Sequence, residues 1–354
     1  LTSQYIRLAG QKDLIPLLKR PIDIETYKFK INLKGCQGHN LKNIDASIPL
    51  NRFVVVSGVS GSGKSTLIRQ ILYPALANYF KKDFARPLAF SKIDGADYIK
   101  DVVLLDQASL SKNARSLPIT YLKLFDRIRD IFASQPQAKL RNYTPGSFSL
   151  NVDGGRCPAC KGSGVEEVDL VFMDNVVLTC EECGGKRYKD DILNVTFQGR
   201  SIVDVLNMTV EEAGRLFSFD AQLHRGLNLL KEVGLSYLKL GQSTSSLSGG
   251  EAQRLKIAFE LLGAKQKQTL YILDEPTTGL HFREVDLLIK LLQKLVDSGA
   301  SILIIEHNLR VIQSADWVIE LGPEGGEQGG YLIAQGTPEQ ISQNPDSVTG
   351  PFLL

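Results

Sequence analysis

The chain has 354 residues, 43% of them hydrophobic and 23% charged, with a formal net charge of +2. That composition belongs to a folded globular protein of one or two domains. It excludes a globally basic nucleic-acid binder, so any polyanion-binding surface must be a local patch. No apolar run reaches the eighteen or so residues a membrane-spanning helix needs, and no basic-apolar-small leader opens the chain.

The chain begins at Leu1, and its two methionines are Met173 and Met208. This reads as a piece of a longer polypeptide. Residues 29–57 read as short strands, the last of them the apolar β-branched run Phe53-Val-Val-Val-Ser57. It leads into Gly58-Val-Ser-Gly-Ser-Gly-Lys64-Ser65, which satisfies Gly-x4-Gly-Lys-[Ser/Thr] in full. Thr66 to Leu72 then has helical spacing. Strand, glycine loop and helix together form a phosphate-binding loop. Backbone N–H groups of Gly58, Ser60, Gly61 and Gly63 turn toward phosphate oxygens, and the helix dipole adds to them. Lys64 reaches the outer phosphates, the Ser65 hydroxyl suits Mg²⁺, and Thr66 closes the loop.

Asp101 to Asp106 reads as another buried strand. After Gln107 the character changes. Pro118 precedes a helix expected from Tyr121 to Phe132, with Phe125, Ile128 and Phe132 on one face. Thr209-Val-Glu-Glu212 has capping-box spacing and opens a helix through Phe217. Between these lie Cys157-x2-Cys160 and Cys180-x2-Cys183, nineteen residues apart. Two such knuckles make a tetrahedral Cys₄ site for structural Zn²⁺. Cys36 stands apart and reads as a small buried residue.

From Leu247 the pattern is again α/β, with helix Ala252–Leu262, strand Thr269–Leu273, helix Val285–Val296 and strand Ser301–Ile305. Apolar strands alternating with helices indicate a mostly parallel sheet covered on both faces. Asp274 ends a strand, where it can hold the Mg²⁺ shell, and Glu275 can orient the attacking water. The expected division is a split core, 1–106 with 244–354, around an inserted α-rich domain, 107–243, carrying a zinc module at about 150–190.

Leu247-Ser-Gly-Gly-Glu-Ala-Gln-Arg254 resembles the signature of ABC-type ATPases. Asp274-Glu275-Pro276-Thr-Thr-Gly-Leu-His281 resembles Walker B running into the D-loop, Gln107 the Q-loop glutamine, and Glu306-His307 the switch histidine. The fold expected is therefore an α/β P-loop NTPase of the ABC type with an inserted signature domain. By that resemblance Ser248, Gly249, Gly250 and Gln253 serve a nucleotide held by another cassette, while Lys64, Glu275 and His307 are catalytic.

The combination is similar to the bacterial excinuclease UvrA family. Further support comes from Gly38-His-Asn-Leu-Lys-Asn-Ile-Asp45, Tyr143-Thr-Pro-Gly146, Gly185-Lys-Arg-Tyr188, Leu240-Gly-Gln-Ser243 and Leu321-Gly-Pro-Glu-Gly-Gly326. The resemblance covers nearly the whole chain and corresponds to the family's C-terminal cassette. It implies a cytoplasmic DNA-repair ATPase using ATP, Mg²⁺ and structural Zn²⁺. The implied partners are damaged duplex DNA, a second cassette and the excinuclease component UvrB. Basic candidates for phosphate contact are Lys112, Arg115, Arg141, Lys186 and Arg187. The stretch after Gln107 and the residues Ser147 and Leu150 depart from the family pattern. That leaves a divergent paralogue with a non-repair partner, such as one serving drug self-resistance, as a second reading. The soluble ATPase of a transporter is a third, opposed by the zinc insert.

Overall fold

The computed structural model describes residues 19–20, 22–82, 84–108, 110, 115–168, 176–263 and 267–353. The chain divides into two compact units, Leu1–Asp106 with Lys265–Leu354, and Gln107–Ala264. The second unit thus keeps the signature helix, which sequence patterning grouped with the core. The physical reason is packing: helix Gly249–Leu262 lies against helix Ala221–Glu232 of the same unit.

The first unit is built on a six-stranded sheet. Its order is Tyr331–Gly336, Trp317–Gly322, Phe53–Gly58, Ser301–Ile305, Thr269–Asp274 and Asp101–Leu105. The first pair runs antiparallel and every other pair parallel. Phe53 to Val56, Leu270 to Leu273 and Ile302 to Ile305 are almost wholly buried. This is why these strands read as unbroken apolar runs rather than alternating ones. Each fully buried aliphatic side chain contributes roughly 1.5–3 kcal/mol. A smaller antiparallel sheet, Leu41–Pro49, Lys30–Gly38 and Lys92–Asp94, shares the core of Leu67, Ile68 and Ile71.

The helix after the glycine loop is wound wide over Thr66–Leu72 before becoming α-helical at Tyr73–Tyr79. Its cause is in the sequence. Pro74 has no N–H to give to the Gln70 carbonyl. That carbonyl accepts instead from Leu88 N–H at 2.9 Å, and Tyr73 N–H reaches back to Ile68. Such widened turns recur beside functional loops.

The second unit is mainly helical. Thr209 and Glu212 form the expected capping box, with Thr209 N–H donating to Glu212 Oε2 at 2.8 Å and Glu212 N–H to Thr209 Oγ1 at 3.2 Å. The helix expected from Tyr121 is broken into Pro118–Tyr121 and Phe125–Ala133. Lys123 between them has φ of 57°, a left-handed backbone that no helix can run through. The knuckles flank an antiparallel pair, Val165–Val168 with Val176–Thr179.

Candidate functional site

Three neighbouring parallel strands end at one edge of the main sheet, and each delivers part of the site there. The strand Phe53–Gly58 opens into the glycine loop, Thr269–Asp274 ends in the two acids, and Ser301–Ile305 is followed by Glu306 and His307. Gly58, Ser60, Gly61, Gly63, Lys64, Ser65, Thr66, Glu275 and His307 line one cleft of about 590 Å³. Ligands in open α/β sheets sit at this carboxyl edge.

The loop's glycines are required by space as well as conformation. Gly58 has φ of 132°, and a Cβ there would overlap the Leu321 carbonyl oxygen at 1.9 Å. Gly63 has φ of 101°, and a Cβ there would come within 2.6 Å of the Leu41 side chain. Lys64 is nearly buried and its ammonium donates to the Gly58 and Val59 carbonyls, both at 2.8 Å. Burial pushes the Lys64 ammonium below the ordinary lysine range, with the charges of Glu275 and then Asp274 pulling the other way. A cation held close to two carboxylates and backbone carbonyls suits an incoming polyphosphate.

Glu275 has φ of 44°, a strained left-handed backbone for a non-glycine residue. Its N–H donates to Ile305 O at 2.9 Å, and its own carbonyl accepts from the Thr278 hydroxyl at 3.0 Å. The chain therefore turns out of the strand at that residue and presents a half-exposed carboxylate. Glu275 Oε1 lies 3.8 Å from His307 Nδ1.

The sequence did not single out two further members of the cleft region. Asn40 lines the cleft and its amide donates to the Gly61 carbonyl at 2.8 Å, bracing the loop. Arg69 donates to Asp274 Oδ2 at 2.8 Å and stands 3.6 Å from Asp106. Asn40 lies inside a stretch that carries the family likeness, which was its available signal. Asp274 offers a carboxylate and Ser65 a hydroxyl, the hard oxygen donors Mg²⁺ takes, and Asp274 already has a cation against it.

In the second unit the four cysteine sulfurs lie within 4.8 Å of one another. Cys157 Sγ and Cys180 Sγ are 4.0 Å apart, and Cys160 Sγ and Cys183 Sγ 3.7 Å. Thiolates bound about 2.3 Å from one tetrahedral zinc stand about 3.8 Å apart, so the set fits that ion. Gly164 N–H and Arg187 N–H each donate to a sulfur at 3.3 Å, on Cys160 and Cys183 respectively. Burial tends to raise the Cys160 thiol, but amide bonds from Gly164 and Gly162 outweigh it and the net shift is downward. Cys36 is separate, fully buried, and its thiol is pushed up to about 11 by burial and the Asp45 charge.

Ser248 caps helix Gly249–Leu262, accepting from Glu251 N–H at 3.3 Å, while Glu251 Oε2 accepts from Ser248 N–H at 2.7 Å. Ser248 is exposed and Gly249 and Gly250 are half-buried, so this helix start can meet another molecule. Gln253, which the resemblance groups with these residues, is wholly buried within the unit. Gln107 opens the second unit beside Gly249, where a Cβ would sit 3.1 Å from its side chain.

The basic candidates separate by surroundings. Lys112 lies outside the described residues. Arg115 is half-buried and partnered. Arg141 is exposed and donates to the Asp191 carbonyl at 3.0 Å. Lys186 is exposed. Arg187 lies with its stem against Gly164, and its Nη1 is buried without a hydrogen-bond partner among the described residues. Burial lowers its guanidinium's affinity for a proton, opposed by the Cys160 and Cys183 charges among others.

Comparison with known proteins follows the same division. A family model described as ABC transporter matches residues 184–278, from just after Cys183 to just past the two acids. The match leaves out the phosphate loop, which the insert separates from the rest. The UvrABC system protein A of Aquifex aeolicus is 51% identical over all 354 residues, which cover 38% of that protein. Its counterpart from Staphylococcus aureus (strain COL) is 47% identical over the same residues, 37% of its length. Along its whole length the chain is similar to part of UvrABC system protein A. The crystal structure of UvrA2 from Deinococcus radiodurans superposes on 99% of this chain with a TM-score of 0.86 and 43% identity, covering 42% of that chain. The fold is accordingly that of an ABC-type P-loop NTPase. The chain spans about two-fifths of the length of these UvrA relatives.

Proposed function

We propose that this chain is an ATP-hydrolysing cassette of a UvrA-type protein that recognises damaged DNA, corresponding to the C-terminal cassette of that family. The observation carrying the reading is the single cleft lined by the glycine loop, Glu275 and His307. Lys64 and the loop amides bind the phosphates, and the helix N-terminus adds its dipole. Asp274 and Ser65 would hold Mg²⁺, which when bound neutralises phosphate charge. Glu275 orients and polarises the attacking water, and His307 contacts the outer phosphate. Ser248, Gly249 and Gly250 serve the nucleotide of a second cassette, so the competent unit is a pair. The Cys₄ module holds structural zinc and stiffens the insert that meets DNA. Contact through Lys and Arg to phosphates supports binding that is independent of base sequence, as a sensor of DNA shape requires. UvrB is the expected protein partner, engaged by the longer polypeptide.

Glu275→Gln in the full-length protein tests the chemistry. It keeps shape but removes the carboxylate, so turnover should fall at least about 100-fold while ATP still binds. Undiminished hydrolysis would sink the assignment. For the DNA partner, zinc-loaded dimeric protein should bind lesion-bearing duplex with a steep salt dependence. No binding at low salt would instead select the paralogue with a non-repair partner.

A further inference from the structure

Glu306 is 1% exposed, yet it carries a carboxylate. A buried carboxylate persists when its acceptor capacity is filled by donors. Here four donors surround it, and they come from two separate segments. Oε1 accepts from Thr277 N–H at 3.0 Å and, in a short bond, from the Thr277 hydroxyl. Oε2 accepts from His307 N–H at 2.9 Å and Asn308 N–H at 3.0 Å. Its own N–H donates to Val56 O at 3.1 Å, on the strand that enters the glycine loop.

The two segments are the ones that carry the chemistry. Thr277 lies two residues beyond Glu275, and His307 follows Glu306 directly. Glu275 and His307 face each other at 3.8 Å, and both side chains are substantially exposed. Exposed side chains swing readily, so a fixed separation in such a pair must come from the backbone beneath it. We infer that Glu306 is a positioning residue: one buried carboxylate latches the chain leaving Glu275 to the chain carrying His307 and sets their spacing. The inference rests on the ATP-hydrolysis reading of the cleft. Only a carboxylate suits the place. An amide has one acceptor oxygen, and its NH₂ would face either the Thr277 pair or the two backbone N–H groups of His307 and Asn308.

The experiment uses the full-length protein, with fluorescent-nucleotide binding, ATP turnover and thermal melting read on each variant. Glu306→Gln should lower kcat about tenfold, while nucleotide affinity stays within about twofold and the folded fraction at assay temperature is unchanged. Thr277→Val, which removes one of the four donors without changing shape, should lower kcat about twofold to fivefold. The two changes together should be no worse than Glu306→Gln alone, because they cut the same link. Unchanged kcat in Glu306→Gln overturns the latch. So does a loss of kcat and affinity in equal proportion to a loss of folded protein, or additive losses in the double variant. Glu275→Gln runs alongside: if that change leaves turnover intact, the hydrolysis reading itself fails and takes the latch with it. If it abolishes turnover while Glu306→Gln does not lower it, the latch alone fails.

Discussion

The Arg69 guanidinium is hydrogen-bonded to the Asp274 carboxylate at 2.8 Å, across 205 residues of sequence. Arg69 sits on the wide-wound helix directly after the glycine loop, so the same segment that positions Lys64 also places a cation on the acid that ends the neighbouring strand. With 41% of the Arg69 side chain exposed, solvent screens the pair, and its contribution is about 1 kcal/mol at most. A cation already on Asp274 competes with Mg²⁺ for the carboxylate. Arg69→Gln should therefore lower the half-saturating Mg²⁺ concentration for ATP turnover by roughly fivefold, the equivalent of about 1 kcal/mol. A titration of turnover against Mg²⁺ checks this; a midpoint that stays put or rises would show the pair is structural only.

Metal content offers a second check. The sulfur geometry predicts one Zn²⁺ per chain, and replacement by Co²⁺ should give the thiolate charge-transfer bands of a tetrahedral Cys₄ site. Cys160→Ser or Cys180→Ser should lose the metal and loosen the knuckle region, because binding energy of such sites is folding energy of about 10 kcal/mol or more in small zinc peptides. Protease cleavage confined to residues near 150–190 would report the loosening. Full metal occupancy in the serine variants would contradict the ligand set.

If exposed Ser248 and the two glycines after it serve the nucleotide of a second cassette, as proposed, turnover should depend on pairing. For the isolated 354-residue chain, activity per molecule should rise with protein concentration and plateau only as dimers form. Ser248→Arg should suppress it without weakening nucleotide binding, since the change lies outside the phosphate-loop cleft. Full activity at every concentration would argue for a self-sufficient site.

Lys186 and Arg187 are adjacent in sequence but lie in different surroundings, which separates their expected effects. Lys186→Ala should weaken DNA binding evenly across sequences and reduce the salt slope by about one. Arg187→Ala should leave the slope alone and instead weaken the cysteine module, since its stem packs on Gly164 and its backbone N–H donates to Cys183 Sγ. Metal retention under chelator challenge reads the second effect, and salt titration of binding the first. The opposite pattern would assign Arg187 to the DNA face.

How much was legible beforehand follows from how far each signal reaches. The glycine loop, the cysteine knuckles and the capping box at Thr209 are local: spacing of a few residues dictates their geometry. The apolar strands around them are legible because burial on both faces leaves continuous β-branched runs. The signature helix falls in the compact unit Gln107–Ala264, whereas sequence patterning grouped it with residues 244–354, because helical spacing does not say which neighbour a helix packs against. Gln253 shares the signature motif with Ser248 yet points inward, a consequence of the helical turn between them.

The sequence by itself determined the chemistry on offer: a phosphate loop, two acids at a strand end, a histidine after another strand and four thiols at knuckle spacing. Tertiary structure alone decided which of these groups share a cleft. The order of the parallel strands brings Phe53–Gly58, Ser301–Ile305 and Thr269–Asp274 side by side, although they are far apart along the chain. That order sets Arg69 on Asp274 and Glu306 against Thr277. Strand order arises from the packing of whole sheets and helices, a global balance that no short window of residues encodes.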